Sequence, residues 1–142
     1  MKRIFYITSF VVFVFVLVFT NNISAQNTPE KLMDQFFILF EKNPGSAFDY
    51  IFSTNKMIDQ NQPEIHGLKD SFDRSRKMLG NYYGYTVAKK MVIADVYVKY
   101  YYVLRYERLP LKLEAIMYKP NDTWKIQSIT CKEVLDDFKE VE

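Results

Sequence analysis

Between Val96 and Glu107 the chain alternates without interruption. Val96, Val98, Tyr100, Tyr102, Leu104 and Tyr106 fall on one side of an extended backbone; Tyr97, Lys99, Tyr101, Val103, Arg105 and Glu107 fall on the other. A period of two is the mark of a strand in a sheet. The first set carries no charge, so it is assigned to a face covered by helices. The second set mixes charge with two tyrosines and a valine, an odd composition for a surface that only meets water.

The rest of the chain supplies both the cover and the neighbouring strands. Thr28-Pro29-Glu30 reads as an N-cap, a first-turn proline and an acid favourable to the helix dipole. Leu32, Met33, Phe36, Phe37, Leu39 and Phe40 then recur at helical spacing, and Lys42-Asn43-Pro44-Gly45 stops that helix. Ser46 with Asp49 resembles a capping box opening a short helix with Phe48, Ile51 and Phe52. Pro63 begins a third, in which Ile65, Leu68, Phe72 and Leu79 keep register until Gly80-Asn81 ends it.

After Gly84 the residues become β-branched and aromatic. Strands are expected at about Tyr85–Ala94, Val96–Arg108, Leu111–Lys119 and Thr123–Cys131. Asp95, Leu109-Pro110 and Pro120-Asn121-Asp122 mark the breaks. Short links between consecutive strands make an antiparallel meander rather than βαβ units. The expected fold class is α+β, with three N-terminal helices packed on a curved antiparallel meander of about four strands.

The 142 residues allow one domain, and an aromatic content of 17% argues against disorder. Residues 1–25 have the three parts of a secretory signal peptide: Lys2 and Arg3, an apolar run from Ile4 to Phe19, and a polar neck ending Ile23-Ser24-Ala25. Cleavage after Ala25 would release residues 26–142 as a periplasmic or secreted domain with no stable membrane anchor. Retention of the leader as an anchor is the other reading. Lys2 and Arg3 carry the whole net charge of +2; from Gln26 onward 17 basic residues face 17 acidic ones. That balance leaves no electrostatic footprint for nucleic acid.

One histidine and one cysteine make no zinc constellation, and no glycine-rich phosphate loop is present, so neither a metal nor a cofactor is expected. Lone Cys131 reads as a small buried hydrophobe. Acid/base candidates are Asp59, His66 and Asp95, none in a spacing that identifies catalysis. Tyrosine is the unusual feature: eight of eleven fall between residues 82 and 106. Tyr82, Tyr100, Tyr102 and Tyr106 could line a pocket for a small apolar or aromatic ligand. Tyr97, Tyr101, Val103 and Arg105, on the open sheet face, could form a homodimer interface. The phase of the third strand is left open: that face could gain Leu111, Leu113 and Met117, or Ile116 and Tyr118.

Three stretches carry a resemblance: Leu79-Gly80-Asn81-Tyr82-Tyr83-Gly84-Tyr85, Tyr106-Glu107-Arg108-Leu109-Pro110-Leu111, and Tyr118-Lys119-Pro120-Asn121-Asp122-Thr123-Trp124-Lys125-Ile126. With the element order they resemble the nuclear transport factor 2-like, or cystatin-like, superfamily, in a branch of small exported bacterial proteins. The resemblance implies a cone of helices on a curved sheet. It does not choose among isomerases, dehydratases, ligand carriers and inert modules. The expected function is a noncatalytic binding or interaction module with an aromatic-rich interior. The alternative is an isomerase- or lyase-type enzyme using Asp59 or His66 with a tyrosine donor, and a purely structural subunit is a third class.

Overall fold

A computed structural model describes residues 28–133, so the expected signal peptide at 1–25 lies outside the described residues. Three helices precede four strands: α1 Pro29–Lys42, α2 Pro44–Ser53, α3 Pro63–Leu79, β1 Tyr82–Ile93, β2 Tyr97–Tyr106, β3 Leu111–Tyr118 and β4 Lys125–Lys132. The strands form one antiparallel sheet in the order β1-β2-β3-β4. This is the α+β arrangement the sequence predicts.

Helix α1 starts where expected: the Thr28 hydroxyl accepts a hydrogen bond from the Lys31 N–H at 3.3 Å, and Pro29 follows in the first turn. Helix α2 starts differently. Its cap is Asn43, whose side-chain oxygen accepts from the Ser46 N–H at 3.2 Å, rather than Ser46 itself. Pro44 decides this, because proline fits the first helical position and so moves the cap one residue before it. The helices present Leu32, Met33, Phe36, Phe37, Phe40, Phe48, Ile51 and Phe72 to the sheet, all buried.

Against them lies one face of the sheet. Val98, Tyr100, Tyr102, Leu104 and Tyr106 of β2 are buried, as the alternation predicts; Val96 is not, because it belongs to the turn. In β3 the covered residues are Leu111, Leu113, Ala115 and Met117, which leaves Lys112, Glu114, Ile116 and Tyr118 on the open face. That settles the third strand's phase. Ile126 and Ile129 complete the floor from β4.

Strand β1 begins at Tyr82, earlier than expected. Gly84, read from the sequence as a boundary, sits at φ 97° where the pairing slips between Tyr82/Tyr106 and Tyr85/Leu104. A glycine at positive φ builds a bulge inside the strand instead of ending it. Ala94 and Asp95, at φ 49° and 51°, form the two-residue turn to β2, closed by the Val96 N–H donating to the Ile93 carbonyl. Left-handed pairs of this kind match the twist of a hairpin. Buried Asn55 fastens the α2–α3 loop to the sheet: its amide donates to the Ile126 carbonyl at 2.7 Å, and the Thr54 hydroxyl accepts from the Ile126 N–H at 3.0 Å.

Gly80 joins α3 to β1 at φ 79°, ψ −153°, a region open almost only to glycine. A Cβ there would stand 2.8 Å from a Glu107 carboxylate oxygen, which itself accepts from the Asn81 N–H. Gly80→Ala is therefore expected to cost about 1–3 kcal/mol, read as a loss in the denaturant midpoint with an unchanged slope.

Candidate functional site

A connected polar cluster stands where α1 meets the hairpin of β1 and β2. Glu30, in the first turn of α1, accepts from the Lys90 ammonium and from the Tyr100 hydroxyl, each at 2.6 Å. One turn further along, Asp34 lies 3.5 Å from the Tyr85 hydroxyl. The i, i+4 spacing sets both carboxylates on one helix face, and the register places Tyr100 directly opposite Lys90. Partial burial pushes the Glu30 carboxyl upward, but hydrogen bonds from Lys90, Tyr100 and its own backbone N–H, with the Lys90 charge, outweigh it. The result is a pKa of about 2 against an ordinary 4.5. Burial and the neighbouring Glu30 carboxylate raise the Tyr100 hydroxyl, which keeps its proton. A carboxylate this acidic is a weak base at neutral pH; the arrangement fastens α1 to the sheet.

The four tyrosines assigned to a ligand pocket lie on the covered face. Tyr100, Tyr102 and Tyr106 retain 3%, 2% and 7% exposure, and their neighbours are other rings. Tyr102 meets Phe37 edge-on at 4.8 Å and stacks with Tyr100 at 5.5 Å, while Tyr106 lies 5.2 Å from Tyr82. Tyr82 also borders a depression of about 640 Å³ open to solvent, between α1 and the start of β1, with Asp34, Phe37, Ile38, Glu41 and Tyr85. Its hydroxyl is buried and lacks a hydrogen-bond partner among the described residues.

The acid/base candidates do not converge. Asp59 lies in the α2–α3 loop, where its carboxylate accepts from the Asn61 N–H at 3.0 Å; His66 is exposed in the first turn of α3; Asp95 is exposed in the β1–β2 turn. Burial pushes the Cys131 thiol up to about 12, so it remains a protonated, inert group beside a cleft of about 120 Å³ under α3. Among the described residues no group of metal-ligating side chains comes together, and no helix is long and apolar enough to cross a membrane.

Two surfaces stand out instead. The open sheet face carries Tyr97, Tyr101, Val103 and Arg105 on β2, as predicted for that side of the strand. Register adds Lys89, Lys99, Lys112, Lys125 and Lys132, with Glu114 as the only acid in the strands of that face. Glu114 accepts an ion pair from Lys99 at 2.8 Å, and Lys99 also lies over the Tyr101 ring. The second surface is the far half of β1, an edge strand on which Val87, Met91, Val92 and Ile93 are exposed.

Compared with protein-family models, curated proteins and solved structures, the chain matches none. The site therefore rests on its own chemistry. Sequence reasoning gave Glu30 a role with the helix dipole but missed its partners, because Lys90 is 60 residues away and only register brings it opposite Tyr100.

The Glu30 cluster has a pH signature. A carboxyl held below its unfolded value adds stability that is complete above about pH 4.5 and is lost as pH falls toward 2. Glu30→Gln should therefore flatten the melting temperature against pH between those limits. An equally steep acid loss in that variant would remove the cluster from the stability of the fold.

Proposed function

We propose that this chain is an exported, noncatalytic interaction module whose partner is another polypeptide, held along the free edge of β1. The observation that carries the reading is the character of that edge. β1 is 12 residues long and among the described residues pairs only with β2, so within them its other side presents unpaired backbone donors and acceptors. Val87, Met91, Val92 and Ile93 remain 50%, 38%, 48% and 54% exposed. Val87 and Val92 lie on the helix side of the sheet and Met91 and Ile93 on the other, so a strand added to the edge would cover apolar groups on both faces. Addition of an extended segment to such an edge is a recurrent mode of recognition.

Charge narrows the partner. Lys90 is committed to Glu30, whereas exposed Lys89 leaves a positive charge in the middle of the edge. Lysine there disfavours the pairing of two β1 strands with each other and favours a partner carrying an acid opposite it. The open-face homodimer is less well supported, because a two-fold axis would set six cations and one acid against the same set. The scattered, exposed positions of Asp59, His66 and Asp95 favour binding over turnover, and the helix-then-meander order supports the likeness to the nuclear transport factor 2-like superfamily.

Export rests on Lys2–Ala25. Expressed with its leader in a Gram-negative host, the protein should be recovered from the periplasm with Gln26 as its N-terminus. Intact Met1 protein in washed membranes would replace the soluble assignment with an anchor.

Native mass spectrometry of that periplasmic protein tests the partner. The expected result is a bound polypeptide that the double substitution Val92→Lys and Ile93→Lys abolishes. A small-molecule adduct unaffected by those changes would turn the reading toward a ligand carrier.

A further inference from the structure

Where the start of β1 passes α1, the depression of about 640 Å³ combines an apolar wall with an acidic rim. Asp34, Ile38 and Glu41 are four and then three residues apart, so one face of α1 presents all three to it. Phe37, Tyr82 and Tyr85 line it as well. Both acids are exposed, and neither belongs to an ion pair among the described residues. Asp34 has the Tyr85 hydroxyl at 3.5 Å. Two arginines close by are held by backbone oxygens and do not line the depression: Arg76 donates to the Glu41 carbonyl at 3.5 Å, and Arg105 to the Tyr83 carbonyl at 2.8 Å. The Tyr82 hydroxyl, buried without a partner among the described residues, keeps a lone pair for an N–H donor.

Two acids at the ends of an apolar wall select a ligand with a cation at each end of a hydrocarbon stem. Seven helical residues set Asp34 and Glu41 about 10 Å apart along α1. A stem of four or five methylenes holds two ammonium groups about 6–8 Å apart. A charge-assisted contact of about 2.8 Å at each end then matches a carboxylate separation of about 12–14 Å, within reach of two side chains that splay from the helix. The stem lies on Ile38, which is 53% exposed, and the rings offer π faces to the cations. We infer that this depression binds a linear aliphatic diamine, one ammonium at Asp34 and the other at Glu41. A single exposed ion pair is weak, and one stem joining two such pairs makes the second intramolecular. The site stands apart from Val92 and Ile93 and does not rest on a partner strand along β1.

Titration of the exported protein with putrescine, a four-carbon diamine, followed through its backbone amide resonances, tests this. Saturable shifts are expected at Ile38, Gly84 and Tyr85. Butylammonium, with one cation on the same stem, should bind about tenfold more weakly, and the corresponding diol should leave those amides unmoved. Glu41→Gln and Asp34→Asn should each weaken putrescine by about tenfold. If losing the Tyr85 contact unfolds the Asp34→Asn chain, Glu41→Gln decides, because the Glu41 side chain holds no other element among the described residues. Val92→Lys with Ile93→Lys should leave putrescine binding unchanged, so failure of the edge reading and failure of this site are read separately. Equal binding of butylammonium, binding indifferent to Glu41→Gln, or shifts as large beside Asp70 and Asp73 on α3 overturn the inference and leave the depression a solvated acidic rim.

Discussion

Phe37 is the contact on which the two layers depend. Its ring stacks on Tyr85 at 3.6 Å between centroids, meets Tyr102 edge-on at 4.8 Å, and touches Phe36 at 5.1 Å. Rings in these geometries add about 0.5–1.5 kcal/mol per pair beyond the area they bury. Fixing α1 at Phe37 also fixes what lies up the same helix. Asp34 and Glu30, three and seven residues earlier, come to the rim of the sheet where the hydroxyls of Tyr85 and Tyr100 emerge. Apolar packing thus sets the geometry in which the carboxylates are satisfied, and the ion pair with Lys90 follows from it.

The same contact explains the concentration of tyrosine in β1 and β2. A phenylalanine would fill the same space, but a tyrosine ring can pack in the interior while its hydroxyl reaches the edge of the helix layer. Tyr100 does so and donates to Glu30. Tyr82 does not: its hydroxyl is buried without a partner among the described residues, beside the depression between α1 and the start of β1. An unpaired buried hydroxyl costs about 1–3 kcal/mol, so the start of β1 gives up stability that its neighbours keep.

What the sequence made legible is what local pattern controls. The alternation of β2 separated covered from open residues correctly at Val98 through Arg105, because period two is imposed by the pleat and needs no knowledge of the partner strand. Thr28 and Pro29 announced α1 for equally local reasons. The errors arose where two local signals competed. Asn43 and Ser46 are both good caps, and only the fixed φ of Pro44 ranks them. Gly84 could end a strand or bulge it, and the outcome depends on Leu104 and Tyr106 across the ladder. Leu111-Lys112-Leu113-Glu114 did contain the phase of β3, since its charges alternate with its leucines. The Glu30 cluster was not legible, because its members come from elements 60 and 70 residues apart.

Charge shows the same division between local and global information. Counted along the chain from Gln26, bases and acids cancel, and the protein looks electrically featureless. Folded, the strands carry six cations and one acid on a single face, because the pleat sorts side chains by parity and the register then aligns the sorted sets. The other acids lie in the helices, in loops and turns such as those of Asp59, Asp95, Glu107 and Asp122, and in the sequence from Glu133 onward. A balanced total is therefore compatible with a strongly polarised surface.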